Sequence, residues 1–202
     1  MKIMQFKKII TLIIFFSSLN TLAFANFESE ENFVSDFAES AISILGDEGL
    51  NNNDKNIQFT DLVMSSIDMN LISKFVLSRY WKTASDQQKI SYLNAFEEYF
   101  ISSYANKLDQ YSGEKIVIVS SEAAKKFVIV KSNIVRDGAD TLKIELNWRL
   151  LTRDGQTRII DLSIEGISLI VAQREEFQSF LSNNNEDLDA LINRLKTINT
   201  RN

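Results

Sequence analysis

The sequence predicts a single α+β domain in which amphipathic helices pack on one curved four-stranded antiparallel sheet. Three observations lead there. Apolar residues recur at helical spacing up to Leu108, switch to a period of two from Lys115 to Ile164, and return to helical spacing from Ser168 onward. The dipeptides Asp137-Gly138 and Asp154-Gly155 are turn formers that join neighbouring strands as hairpins. No linker rich in proline, glycine or serine divides the chain.

The first element is a segment to be removed rather than folded. Met1 to Lys8 carries Lys2, Lys7 and Lys8, Ile9 to Leu19 is almost wholly apolar, and Ala23-Phe24-Ala25 is a small-residue cleavage pattern. The apolar stretch is well short of the roughly 20 residues that cross a bilayer. We therefore read residues 1–25 as a cleavable signal peptide and 26–202 as the mature domain. Cleavage removes three lysines and no acids, which takes the formal charge from −5 to −8. Such an acidic chain is a poor partner for nucleic acid. With no cysteine anywhere, neither a lipidated anchor nor a disulfide is possible, so the mature chain is expected to be a free monomer.

In the mature chain, Phe33, Phe37, Ala41, Ile44 and Leu45 form a helical stripe that ends at Gly46. Asn51 to Asn56 reads as a polar turn. Phe59, Leu62 and Val63, then Leu71, Ile72 and Phe75, mark two shorter helices. Ser85 and Gln88 make a capping box that opens a long helix, with Ile90, Leu93, Phe96, Phe100, Tyr104 and Leu108 on one face. Four strands follow, over Lys115 to Ser121, Lys126 to Arg136, Thr141 to Leu151 and Thr157 to Ile164. The third places Leu142, Ile144, Leu146, Trp148 and Leu150 on one face, with Lys143, Glu145, Asn147 and Arg149 on the other. A meander is the simplest topology. Two helices close the chain, Ser168 to Ser182 and a last one bearing Leu188, Leu191, Ile192, Leu195 and Ile198, separated by Asn183-Asn184-Asn185.

Catalytic equipment is scarce. Zero histidines and zero cysteines remove the commonest general base, thiol nucleophiles and the usual metal ligands, so no cofactor is expected. Asp161 and Glu165 are close enough in sequence to suggest an acid–base pair. Strict alternation, however, sets them opposite Ile160, Leu162 and Ile164, on a solvated face. The aromatic residues crowding the middle of the chain fit either a filled core or a cavity wall.

Two blocks of residues go further. Arg79-Tyr80-Trp81-Lys82-Thr83-Ala84-Ser85, leading into Phe96-Glu97-Glu98-Tyr99-Phe100, is the first. Trp148-Arg149, Arg153-Asp154-Gly155, Ile160-Asp161, Glu165-Gly166-Ile167-Ser168-Leu169 and Gln173-Arg174-Glu175-Glu176-Phe177 follow in order as the second. Together they resemble the MlaC family of lipid-transport auxiliary proteins over nearly all of the mature chain. One departure is Gln156-Thr157-Arg158, where the family pattern leads us to expect an aromatic.

The resemblance implies a periplasmic phospholipid carrier, not an enzyme. It would pass lipid between an outer-membrane lipoprotein complex and an inner-membrane MCE-domain ABC transporter, and so maintain outer-membrane lipid asymmetry. Such a carrier needs an apolar lipid pocket between sheet and helices. Leu142, Ile144, Leu146 and Trp148, with Ile160, Leu162 and Ile164, are the expected sheet wall, faced by Phe75, Phe96 and Phe100 from the helices. Gly166 fits either a close backbone approach or a plain turn. Arg149 and Arg158 fit either a lipid phosphate or a solvated strand face. Two other classes compete: a small cone-fold (NTF2-like) enzyme, which needs a carboxylate inside the pocket, and a lipid-free adaptor, which needs a filled core.

Overall fold

The computed structural model describes residues 26–105, 114–136 and 143–199. The leader, the Asp137-Gly138 turn, Leu142, Leu108 and the C-terminal residues 200–202 lie outside them. Helix α1 spans Glu28–Gly46, with Glu28, Glu30 and Glu31 in its first turn, where the positive end of the helix dipole favours acids. Helix α2 spans Asn52–Ser66 and begins earlier than the polar sequence suggests. The Asn51 side chain accepts the Asp54 N–H, so the run read as a turn is a cap followed by a solvated first turn. Asp68 caps α3 (Met69–Leu77) in the same way, and a short α4 (Tyr80–Thr83) leads to α5 (Asp86–Ala105). The Ser85–Gln88 capping box forms reciprocally, at 3.1 and 3.2 Å.

The sheet is a meander of five strands, not four: β1 (Lys115–Ala124), β2 (Phe127–Val135), β3 (Lys143–Arg153), β4 (Gln156–Ile164) and a two-residue β5 (Ile167–Ser168), in spatial order β1-β2-β3-β4-β5. All pairs are antiparallel. Asp154-Gly155 makes the β3–β4 turn with positive φ at both residues, 52° and 75°. Glu165 and Gly166 do the same at 48° and 80°, which folds β5 back onto β4. The extra strand was hidden because two residues carry no period. Helices α6 (Leu169–Asn183) and α7 (Leu188–Asn199) complete the chain.

Two apolar clusters result. One, built from α3 to α7, packs Tyr92, Phe96, Phe177, Leu181, Leu191 and Leu195 with almost no exposure. The other lies between α1 and the inner sheet face, around Val34, Val130, Leu146, Trp148, Leu150 and Ile159.

Candidate functional site

The second cluster does not close. Between α1, α2 and the inner face of the sheet lies a cavity of about 710 Å³ with a mainly apolar lining. Helix α1 contributes Phe37, Ala38, Ala41, Ile42 and Leu45, and α2 contributes Phe59 and Val63. Two of the α1 residues are alanines, whose short side chains leave the space that leucines at the same positions would fill. The sheet contributes Ile116 from β1, Ile134 from β2, Ile144, Leu146 and Trp148 from β3, and Ile159, Leu162 and Ile164 from β4. Phe100, Ile72 and Ile170 from the helical cluster complete the wall.

One end of the cavity is shut. Trp148 is 6 % exposed, donates its indole N–H to Ser132 Oγ at 2.8 Å, and meets the Phe37 ring edge-on with centroids 5.8 Å apart. Satisfying that N–H lets a large aromatic sit at the closed end without an unpaired donor. At the opposite end Ile116, Ile134, Ile144 and Ile164 gather through strand register, and Ile164 is 36 % exposed, so this end meets solvent.

The structure brings together six of the predicted wall residues: Phe100, Ile144, Leu146, Trp148, Leu162 and Ile164. It places Phe75, Phe96, Gly166 and Ile160 elsewhere. Phe75 is 44 % exposed on α3 and lies under the Arg174 guanidinium, 5.2 Å from ring centroid to Cζ. Phe96 is buried within the helical cluster between Tyr92, Phe100 and Phe177. Gly166 is a plain turn glycine, since a Cβ built there meets nothing within 4 Å and its φ of +80° is what the turn requires. Leu142 lies outside the described residues.

Ile160 and Asp161 depart from prediction for one shared reason. Between β3 and β4 the register slips: Arg149 pairs with Asp161, but Leu150 pairs with Ile159. Ile160 is therefore the extra residue of a β-bulge, and Ile159 takes the inward place that unbroken alternation assigns to Ile160. The bulge also re-aims Asp161, which is 7 % exposed and lies on the cavity wall rather than in solvent. Its carboxylate accepts the Ser168 hydroxyl at 2.8 and 2.9 Å and the Ile170 N–H at 3.4 Å, so it fastens the first turn of α6 to β4. Glu165 stays exposed, and accepts the Glu145 N–H. The bulge also lies where the α2–α3 junction meets the sheet, with Asp68 donating its N–H to the Ile159 carbonyl at 3.0 Å.

Arg149 and Arg158 are not on the cavity wall. Arg149 lies on the outer sheet face, and Arg158 borders a second, open and more polar hollow of about 850 Å³ beside the start of α1. Among the described residues the only acids on the apolar cavity wall are Asp161 and Glu114, and no tyrosine, lysine or arginine lines it.

Comparison with known proteins decides the family. The family model described as MlaC protein matches residues 35–197. This chain belongs to the MlaC family. Over 124 residues it is 26 % identical to the intermembrane phospholipid transport system binding protein MlaC of Haemophilus influenzae, an alignment covering 60 % of this chain and 57 % of that one. The chain thus matches little more than half the length of that relative. Its fold is similar to a phospholipid-binding protein from Ralstonia solanacearum solved in complex with a phospholipid, with a TM-score of 0.72 and 20 % identity over 84 % of this chain and 96 % of that one. No described helix is long and apolar enough to cross a membrane.

Proposed function

We propose that this MlaC-family chain is a phospholipid carrier of the periplasm, exported by cleavage after Ala25, which hides acyl chains in the cavity between α1, α2 and the sheet. On this reading it takes lipid from, or gives it to, an outer-membrane lipoprotein complex and an inner-membrane MCE-domain ABC transporter. The observation that carries the reading is the cavity itself. It is apolar, shut at Trp148, open near Ile164, and within the roughly 300–1,000 Å³ typical of small-ligand sites.

The physics of the cargo asks for such a space. Each methylene left in water costs about 0.8 kcal/mol, so an acyl chain of about 16 carbons in solution costs on the order of 10 kcal/mol. Burial offsets that cost, and carriage needs no bond making. The lipid-free adaptor fits poorly, because it calls for a filled core where this chain has a hollow one. The enzyme reading gains an inward carboxylate in Asp161, but that group is engaged by Ser168 and Ile170 and has no tyrosine beside it on the wall.

The test is native mass spectrometry of the signal-cleaved chain purified from a bacterial periplasm, with extraction and identification of bound lipid. Near-stoichiometric phospholipid is the expected result. A reproducibly empty protein that takes up nothing from vesicles would overturn the reading.

A further inference from the structure

The closed end of the cavity is built more firmly than the burial of acyl chains requires. Ser132, on β2, is fully buried beside the α1–sheet cluster and accepts the Trp148 indole N–H at 2.8 Å. The pair brings two polar groups into a region that aliphatic side chains alone could fill. What it adds is orientation. The hydrogen bond ties one edge of the indole to β2, and the Phe37 ring of α1 packs against it with 71° between the ring planes. Behind the indole, Val34, Val130 and Leu150 are 0–1 % exposed and take no part in the cavity lining, so the space beyond Trp148 is filled.

A fixed floor gives the cavity a finite depth. From Ile144 at the open end to Trp148 the chain advances along β3 by about 13 Å, at a strand rise of about 3.3 Å per residue. An extended chain of tetrahedral carbons advances roughly 1.3 Å per bond of about 1.52 Å, so about ten carbons reach from one end to the other. Volume sets a second limit. A cavity of about 150 Å³ takes up a benzene ring, which scales to roughly 28 carbons in the 710 Å³ found here. The space is therefore wide and shallow, suited to two tails that lie side by side and bend. Two tails of about 14 carbons fill it. Longer tails leave the carbons next to the headgroup at the open end, where Ile164 is already 36 % exposed. Up to the limit a methylene passes from bilayer to cavity between two apolar surroundings, and beyond it each methylene that meets water lowers retention by up to about fourfold.

We propose that Trp148, pinned by Ser132 and Phe37, is the floor of a gauge for tail length, so that the chain retains phospholipids whose tails sum to about 28 carbons in preference to longer ones. This rests on the carrier reading and deepens it by naming the tail class of the cargo. To test it, delipidated signal-cleaved chain is equilibrated with vesicles holding equal amounts of phosphatidylethanolamines whose paired tails run from about 12 to about 18 carbons each, and bound species are counted by native mass spectrometry. Retention is expected to stay level up to paired tails of about 14 carbons and to fall several-fold by about 18. Trp148→Ala should move the fall to longer tails by about four to eight carbons in total, the room an indole vacates after partial collapse. Ser132 acts through Trp148 as a positioning residue: Ser132→Ala keeps the ring but frees its edge, so the fall should become shallower. Ala38→Leu, which narrows the cavity from the α1 side, should move the fall to shorter tails.

A wild-type profile that stays level across all tail lengths overturns the proposal without any variant. An unchanged profile in both Ser132→Ala and Ala38→Leu overturns it as well, even if Trp148→Ala does not fold. Failure to retain any of the lipids overturns the carrier reading and this one with it, whereas a level profile overturns this one alone.

Discussion

The two apolar clusters use the same kinds of residue and reach opposite ends. In the α3–α7 cluster Phe96 touches aromatic neighbours on several sides, with ring centroids 5.7 to 6.1 Å away, and space is filled. In the α1–sheet cluster Leu146 is just as hidden from solvent at 3 % exposure, yet it borders a hollow of about 710 Å³. Burial alone therefore does not define a core. What separates the halves is whether each apolar side chain meets others all round or faces small residues such as Ala38 and Ala41 across a gap. The first half is filled, and the second leaves an apolar cavity.

That contrast makes unequal substitutions informative. The largest effect expected is for Phe96→Ala, about 3–5 kcal/mol of stability by urea unfolding, because a dense shell cannot close over the void. Leu146→Ala should cost less, about 2 kcal/mol, since its side chain already lacks neighbours on one side. Equal losses at the two sites would mean that the sheet side is packed as tightly as the helical side.

Tyr92 sharpens the comparison through pH. Its hydroxyl donates to the Ser73 carbonyl at 3.0 Å inside the filled cluster, and burial pushes its pKa well above the ordinary value of 10.0. The native state therefore keeps this proton where the unfolded chain releases it. Its contribution is full below about pH 10 and is lost as pH rises above that value. Tyr92→Phe should cost about 1 kcal/mol near neutrality, and should flatten the alkaline loss of stability in unfolding curves taken on either side of pH 10. Tyr99, also raised by partial burial, leaves a residual slope.

The smallest stability change, within about 1 kcal/mol, is expected for Ala41→Phe, because the cavity has room for the ring. Its functional effect should be the reverse in size. Lipid uptake from vesicles should fall several-fold as the ring takes the place of a tail. Unchanged uptake would show that the guest occupies another part of the molecule.

Much of this architecture was legible because it is local. The Ser85–Gln88 box, the Asp154-Gly155 turn and the period-two strands announce themselves within a few residues, and the α1 stripe already contained Phe37, Ala41 and Leu45. The wall residues of α1 and α2 were missed because the same helical stripe serves a packed core and a hollow one. The resemblance blocks place Phe100, Trp148 and Asp161 on the wall but begin at Arg79, beyond α1 and α2. Arg79 and Tyr80 bind Glu186, and Tyr99 binds Gln173, all on the filled helical side away from the cavity.

The sequence by itself determined the order of the longer helices and the four main strands, the β3–β4 hairpin turn, the scarcity of catalytic groups and the family. Tertiary structure decided the rest. Only there does a one-residue slip in β4 replace Ile160 with Ile159 on the wall and turn Asp161 toward α6, and only there does the long helix divide its aromatics, Phe96 to the packed cluster and Phe100 to the cavity. The reason is physical: periodicity records which side of an element is apolar, whereas register, bulges and the size of what lies opposite decide whether that side meets protein or space.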